Sequence, residues 1–154
     1  MSPFAATLVE LEDVDETDGA GTVVERTAVN PVTWSVAMGF NQGEVVSGHS
    51  RTLYCSGQTA TSAEGRPEHD GDMAGQLALS VDNLEAVLRG AGMSLANLVR
   101  LNVYTTDVDL LFQHYGVLAS RLGAARVAPT TTMLEVTRLA IPGQLVELEG
   151  TAVA

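Results

Sequence analysis

Apolar residues recur with a helical period in one segment of the chain, at Met73, Leu77, Val81, Leu84, Leu88 and Ala91. Steps of three and four residues place these side chains on one face, so the pattern predicts an amphipathic helix. Asp70 or Asp72 can cap its N-terminus, and Gly90 or Gly92 suits its C-terminal turn. This is the clearest secondary-structure signal in the sequence.

A second helix is predicted from about Asp109 to Leu122, because a stripe of apolar side chains follows the same period. The stripe consists of Leu111, Tyr115, Leu118 and Leu122. Asp107 or Asp109 can cap the helix at its N-terminus, and Gly123 ends it.

Runs rich in β-branched and apolar residues predict the strands. They cover residues 22–29, 32–38, 98–106, 130–136 and 145–153. Val45-Val46 and Thr52 to Cys55 flank Ser47-Gly48-His49-Ser50, which predicts a hairpin with a glycine-containing turn. Residues 59–71 hold two glycines and a proline and are predicted to form a loop.

The order of elements is strands, helix, strand, helix, strands. At 154 residues, 45% of them hydrophobic, the chain is predicted to form one α+β domain around a mixed β-sheet. Two helices cannot cover both faces of such a sheet, so they are expected on one face. Strand faces rich in Val, Leu and Thr favour a neighbouring subunit as the cover for the other face, and hence a small homo-oligomer.

Residues 1–21 differ in composition from the domain that follows, residues 22–154. Six acidic side chains lie between Val9 and Asp18, and Gly19-Ala20-Gly21 follows them. Such a segment repels itself, which favours a solvated, partly mobile acidic arm. Alternatively the arm packs on a neighbouring subunit, with Thr7-Leu8-Val9 pairing as a short strand.

The charge balance excludes some partners. Nineteen acidic and eight basic side chains give a net charge of −11, which repels nucleic acid and anionic membranes. The lone Cys55 permits no internal disulfide, and the three histidines show no metal-ligand spacing, so no metal site is predicted. The sequence shows neither a membrane span nor a secretory signal, and a cytoplasmic location is therefore expected.

Five sequence blocks occur together in one order: Tyr54-Cys55-Ser56-Gly57-Gln58, Asp82 to Leu88 with Gly92, Val99 to Asp107, Glu135 to Leu139, and Val146 to Glu149. In this order they resemble the Rid superfamily, also called YjgF, of reactive-intermediate (enamine/imine) deaminases. The resemblance extends from about Phe40 to Ala152.

This resemblance implies a chorismate-mutase-like α+β fold and a barrel-like homotrimer, with a small-molecule pocket in each cleft between subunits. Members with known chemistry hydrolyse 2-aminoacrylate-type enamines and imines to 2-keto acids and ammonia, without a metal or an organic cofactor. In them an arginine holds the substrate carboxylate, and a glutamate near the chain end holds the attacking water.

The family's glutamate matches Glu147, whose carboxylate could orient and deprotonate water beside an imine carbon. A solvated or paired glutamate on a final strand is the structural alternative. Ser56 matches the family's serine at a strand end, where it could instead satisfy the backbone. Gly57 beside it permits a ligand to approach the backbone.

Three other pocket positions depart from the family pattern. Thr131 stands where the family has its arginine, and a threonine cannot form the bidentate charged pair with a carboxylate. Losing that pair is expected to weaken carboxylate binding by about ten- to a hundred-fold. Phe40 replaces the family tyrosine, and Tyr115 replaces an asparagine that is common in the deaminases. Together with Ser56, Met133 and Glu147, these residues predict one apolar cleft with hydroxyls and a single carboxylate, which Trp34 could also reach.

Another cation could replace the missing arginine. Arg51 lies in the predicted hairpin and is a turn-flanking surface residue by default. Arg138 matches a family arginine that is usually structural. Without such a replacement, the cleft suits a neutral or cationic small molecule better than an amino-acid-derived anion.

Two functions follow from these residues. In the first, the protein is a hydrolase that acts on an imine, enamine or related C–N bond of a molecule other than a 2-imino acid, with Glu147 orienting water. In the second, it is a non-catalytic binding module that keeps the trimeric scaffold. Ribonuclease activity, proposed for some relatives, is disfavoured because no basic patch with interleaved aromatic residues accompanies the charge of −11.

Overall fold

The computed structural model describes residues 23–154. The predicted acidic arm, residues 1–21, lies outside the described residues, as does the first residue of the predicted domain. The elements in chain order are β1 (Glu25–Val29), α1 (Trp34–Ala37), β2 (Gly43–Ser47), β3 (Thr52–Tyr54), α2 (Met73–Gly90), a 3₁₀ turn (Leu95–Asn97), β4 (Leu98–Thr105), α3 (Val108–His114), α4 (Gly116–Ala124), β5 (Thr130–Glu135) and β6 (Val146–Val153).

The main sheet has four strands in the order β3-β6-β4-β5. Its pairs are antiparallel except β4 with β5, which run parallel, so the predicted mixed sheet is confirmed. β1 and β2 form a separate antiparallel pair. The guanidinium of Arg26 on β1 joins this pair to the main sheet by donating to the carbonyl oxygens of Ala96, at 2.8 Å, and Leu98, at 2.7 Å. Arg26 also forms an ion pair with Glu44 on β2.

The core lies between α2 and one face of the main sheet. Leu77, Val81 and Leu88 on α2 are fully buried, as are Leu101 on β4 and Leu148 on β6. Side chains alternate between the two faces of each strand, and the neighbours of these core positions therefore project to the opposite side. Among the described residues, no element covers that opposite side, which we call the open face.

The predicted first helix is confirmed as α2. Its N-cap is Asp72, whose Oδ1 accepts a hydrogen bond from the backbone N–H of Gly75 at 3.0 Å. Such a cap contributes about 1 kcal/mol to stability. At the C-terminal end, Gly92 adopts a φ of +69°, a conformation that favours glycine.

The predicted second helix forms as two pieces, α3 and α4, which meet at Tyr115. Gly116 follows directly and weakens helix propagation. Together with the one-turn α1, the described residues hold four α-helices, and the prediction of two is therefore wrong in number.

Two strand predictions near the start of the chain are also wrong. Residues 32–38 contain the helix α1 rather than a strand. The hairpin around residues 47–50 does not form, because β2 pairs with β1 while β3 pairs with β6. The residues of β2 and β3 are β-formers as predicted, but their partners are distant in sequence.

Candidate functional site

Glu147 lies near the start of β6, directly opposite Tyr104 of β4. Its neighbours Val146 and Leu148 are fully buried in the core, so the Glu147 side chain projects to the open face, where it is half-buried. Glu149, two residues later, projects to the same side. The final strand therefore presents two carboxylates to one surface.

The segment after β3 is held against Glu147. The backbone of Gln58 exchanges two hydrogen bonds with Leu148, at 2.7 and 2.9 Å, which places Gly57 beside the Glu147 side chain. A Cβ atom added to Gly57 would lie 1.8 Å from Oε1 of Glu147 and 2.7 Å from its Cδ. Only a glycine leaves room for this carboxylate, so the closeness of Gly57 to Glu147 is a property of the fold.

The Glu147 carboxyl is electrostatically uncompensated. Burial raises its pKa above the ordinary glutamate value, and the nearby charge of Glu149 raises it further. Among the described residues, no side chain donates a hydrogen bond to it and no cation pairs with it. Such a carboxylate is a stronger base than a solvated one and keeps its lone pairs available for water.

Glu149 is held in place, in contrast to Glu147. Its Oε1 accepts hydrogen bonds from Nδ2 of Asn102 at 2.9 Å and from the hydroxyl of Tyr104 at 3.3 Å. Burial, followed by the charge of Glu149, raises the pKa of the Tyr104 hydroxyl, which stays protonated and able to donate. One carboxylate is therefore fixed by neighbours, and the other is free to bind an external group.

Ser56 is exposed next to Glu147 and Glu149. Its carbonyl oxygen accepts a hydrogen bond from the Gln58 side chain at 3.2 Å, while its hydroxyl makes none to the described residues. Of the predicted site residues, Ser56, Gly57 and Glu147 are thus brought together at one end of the open face.

The other four predicted site residues form a second group at an apolar cavity of about 220 Å³ near the edge strand β5. They are Phe40, Tyr115, Thr131 and Met133. Its lining consists of Trp34, Met38, Phe40, Phe112, Tyr115, Thr131 and Met133. Thr131 and Met133 stand in register with the core residues Leu101 and Val103 of β4 and lie on the helix side of the sheet. Within one subunit, this cavity and Glu147 are consequently on opposite sides of the sheet.

The cavity walls are aromatic, and none of the described residues that line the cavity carries a charge. Trp34 packs edge-to-face on Phe40 at a ring distance of 5.8 Å, and Phe112 is tilted against Tyr115 at 6.4 Å. The Thr131 hydroxyl donates to the carbonyl oxygen of Pro129 at 2.8 Å. Trp34, which the sequence allowed to reach the pocket, lines it and remains 59% exposed.

The two candidate replacements for the arginine lie in different places. The Arg51 guanidinium donates to the carbonyl oxygen of Ala91 at 2.9 Å, at the C-terminal end of α2, while its backbone pairs with Ala154. Ala154 lies seven positions after Glu147, a distance of roughly 23 Å along the strand. Arg138 is exposed in the loop before β6 and lines a separate cavity of about 380 Å³ with Thr106. Neither arginine lines the apolar cavity.

Several contributors at these sites were missed from the sequence. Gln58 acts through its backbone, which composition cannot reveal. Asn102 and Tyr104 alternate with core residues on β4, and that alternation could have placed them beside Glu149. Met38 was missed because residues 32–38 are predicted to form a strand, whereas the structure has α1 there. Phe112 was missed because it lies off the predicted apolar stripe.

The described residues contain no cluster of histidine, cysteine or carboxylate side chains suited to hold a metal ion. Cys55 is buried, and burial raises the pKa of its thiol. No helix in residues 23–154 has the length and apolar character needed to cross a bilayer.

Comparisons with known proteins agree with the motif resemblance. The family model described as Endoribonuclease L-PSP matches residues 33–154. The RutC family protein YjgH of Escherichia coli K12 is 29% identical over 118 residues, covering 77% of this chain and 88% of the relative.

Two solved structures extend this comparison. A protein of the conserved Rid family from Yersinia pestis, YyfB, is 31% identical with a TM-score of 0.69, covering 84% of this chain and 98% of the other. TdcF of E. coli, solved with bound serine, is 26% identical with a TM-score of 0.61, covering 75% and 87%.

Proposed function

The chain belongs to the Endoribonuclease L-PSP family of the Rid/YjgF superfamily, and on that premise we propose that it hydrolyses an imine, enamine or related C–N bond of a small molecule that carries no carboxylate beside that bond. Glu147 is the residue that orients and deprotonates water. The proposal includes no metal or organic cofactor and no nucleic acid, and it places the protein in the cytoplasm.

The observation that carries the proposal is the close contact between the Glu147 side chain and Gly57. A half-buried carboxylate with a raised pKa and no partner among the described residues destabilises the folded state, because burial penalises its charge. Costs of this kind concentrate at functional sites. The exposed Ser56 hydroxyl beside it is positioned to bind a polar group of the substrate.

The chemistry requires one base and one water. Glu147 takes a proton from water while the water oxygen bonds to the imine carbon and the C=N π electrons move to nitrogen. The proton then passes to that nitrogen and gives a carbinolamine. Glu147 next takes the hydroxyl proton of the carbinolamine and delivers it to the same nitrogen as the C–N bond breaks, so the products are a carbonyl compound and ammonia or an amine. Proton transfer by a positioned side chain contributes typically about 10²- to 10⁴-fold to a rate.

The identity of Thr131 supports a substrate other than a 2-imino acid. Its hydroxyl donates to Pro129, and the described residues that line the cavity include no cation to pair with a carboxylate. TdcF was solved with serine, which has a carboxylate, so we expect this chain to differ from that relative in ligand preference.

We further propose a chorismate-mutase-like, barrel-like homotrimer with the ligand in the clefts between subunits. Two observations support it. The open face carries the half-exposed Leu134 and the 79% exposed Tyr54, which a neighbouring subunit could cover. In addition, the Glu147 group and the apolar cavity lie on opposite sides of one subunit's sheet, and a cleft between two copies would let both contact one ligand.

The test uses an uncharged aromatic imine, N-benzylidenemethylamine, and follows the release of benzaldehyde by its absorbance. We expect hydrolysis well above the buffer rate, a loss of about 100-fold or more in Glu147→Gln, and no loss in the exposed control Glu68→Gln. Ammonia release from freshly generated 2-aminoacrylate is expected to be weak. Full turnover by Glu147→Gln would contradict the assigned role.

A non-catalytic binding protein is the second candidate. It is favoured by the apolar lining of the cavity, where Phe40, Tyr115 and Thr131 all differ from the residues typical of the deaminases. This candidate predicts saturable ligand binding with no turnover of any imine. Hydrolysis above the buffer rate, lost in Glu147→Gln, would exclude it.

A further inference from the structure

We propose that the apolar cavity binds a single aromatic ring of an uncharged small molecule, so that the ligands of this protein are neutral arylalkyl imines and carbonyl compounds. The inference rests on the proposed function for the imine, but the binding of the ring is separable from catalysis.

The size of the cavity sets the size of the group. Its volume is about 220 Å³, and an apolar cavity of about 150 Å³ is known to stay dry and to bind benzene. One phenyl ring with a short alkyl linker fits this space, whereas a methyl group would leave most of it empty. The unfilled space would forfeit the dispersion contacts that the walls offer.

The walls are suited to a ring in their chemistry as well. They contain two aromatic pairs, Trp34 with Phe40 and Phe112 with Tyr115, in edge or tilted arrangements. The exposed edges and faces of such pairs accept a further ring in the same geometries. Met133 adds a polarizable sulfur from the strand side, and such sulfurs make favourable contacts with aromatic rings.

The polar content of the cavity selects against charge. Among the described residues, its polar side-chain groups are the hydroxyl of Thr131, already donated to Pro129, the hydroxyl of Tyr115 and the indole N–H of Trp34. Burial raises the pKa of the Tyr115 hydroxyl, which has no hydrogen-bond partner among the described residues. It can donate one hydrogen bond to a carbonyl oxygen or imine nitrogen, but it cannot neutralise a carboxylate.

Trp34 is the single tryptophan of the chain, and it lines this cavity. Tryptophan emission from the full-length protein therefore reports directly on occupancy, independently of turnover. Three probes separate the contributions. Phenylacetone carries the ring and a ketone, acetone lacks the ring, and phenylpyruvate has a carboxylate in place of the methyl group.

We expect a saturable change in Trp34 emission with phenylacetone, with the affinities of all three probes confirmed by calorimetry. Acetone should bind about ten- to a hundred-fold more weakly, because a buried phenyl ring supplies that difference. Phenylpyruvate should bind at least about ten-fold more weakly, because its carboxylate loses water without gaining a cation. Equal or tighter binding of acetone or phenylpyruvate, or no saturable binding of phenylacetone, would overturn the inference.

Variants assign the binding to this cavity. Phe112→Ala should weaken the binding of phenylacetone by about ten-fold. Val45 is also an exposed apolar residue but lies outside the cavity lining, so Val45→Ala should leave the binding unchanged. Thr131→Arg should reverse the preference, so that phenylpyruvate binds more tightly than phenylacetone. An unchanged preference in Thr131→Arg would contradict the assignment.

The same titration separates the two proposals. Glu147→Gln should retain phenylacetone binding, because Glu147 does not line the cavity. Ring-selective binding without hydrolysis of N-benzylidenemethylamine would leave this inference standing and remove the catalytic one. Hydrolysis without ring-selective binding would support the catalytic proposal and contradict the inference about the cavity.

Discussion

The two faces of strand β6 differ in what their side chains do for the protein. On the core face, Val146 and Leu148 are fully buried against the layer formed by α2. On the open face, Glu147 and Glu149 carry charges, and only Glu149 has hydrogen-bond donors among the described residues. The core face stabilises the fold. On the open face, the partly buried charge of Glu147 lowers stability, and a requirement for stability alone does not explain why it is there.

The largest expected effect tests the core face. Leu148→Ala removes a fully buried side chain and should lower the free energy of unfolding by about 2–5 kcal/mol. Thr151→Ala, on the open face of the same strand, should change it by less than about 0.5 kcal/mol in the isolated subunit. Urea unfolding measures both. A comparable loss in Thr151→Ala would show that the open face is packed, as a subunit interface requires.

The next prediction moves the Glu147 carboxylate without removing it. Gly57→Ala places a methyl group where Oε1 of Glu147 now lies, and the end of that flexible side chain must swing away. We expect hydrolysis to fall by about ten- to a hundred-fold with little change in stability. Gly90→Ala is the matched control, because a Cβ there meets nothing within 4 Å. Unchanged activity in Gly57→Ala would separate Glu147 from catalysis.

A smaller effect follows from the pKa of Glu147. Since burial raises that pKa in the folded chain, the folded state holds the proton more tightly than the unfolded state. Stability from this group is full below the unfolded pKa and is lost as the pH rises through the folded pKa. The Glu147→Gln variant has no carboxylate to charge at this position and so avoids this loss of stability. Its Tm should therefore be slightly higher than that of the parent protein at pH 7. The difference should vanish below about pH 4, as scanning calorimetry can show.

The smallest effect concerns the neighbouring charge. Glu149→Gln removes a negative charge that raises the pKa of Glu147, so the acid limb of the rate profile should shift to lower pH. The plateau at higher pH should persist, since the proposed mechanism assigns the water to Glu147. Glu68→Gln, exposed and remote in sequence, should leave the limb in place. A collapse of the plateau would assign Glu149 a direct role.

The parts of the fold that sequence could predict are those with local signals. The period of Leu77, Val81 and Leu88 defines α2, and the alternation along β4 and β6 follows from their core positions. The hairpin prediction failed because β-formers around Gly48 do not specify their partners, and the structure pairs them with residues far away in sequence. A turn signal is local, whereas strand pairing is decided by the whole sheet.

The candidate site divides in the same way. Glu147 could be identified from motif resemblance, and its outward projection from the alternation of β6. Its contact with Gly57 depends on a bridge between Gln58 and Leu148, some ninety positions apart in the printed sequence. Trp34 could be associated with the cavity from the sequence, but the helix that carries it could not be predicted, because four helical residues give too short a period to detect.

The central position of β6 has a consequence for how the chain acquires its structure. This strand, residues 146–153, lies between β3 and β4, so until it has been synthesised β3 has no partner in the main sheet and β4 has only β5. At about 5–20 residues per second, β3 waits roughly 5–20 seconds in that state. Pairings this distant along the chain also form slowly. During that interval the nascent chain exposes two unpaired strand edges, the condition under which chaperone binding or aggregation competes with folding.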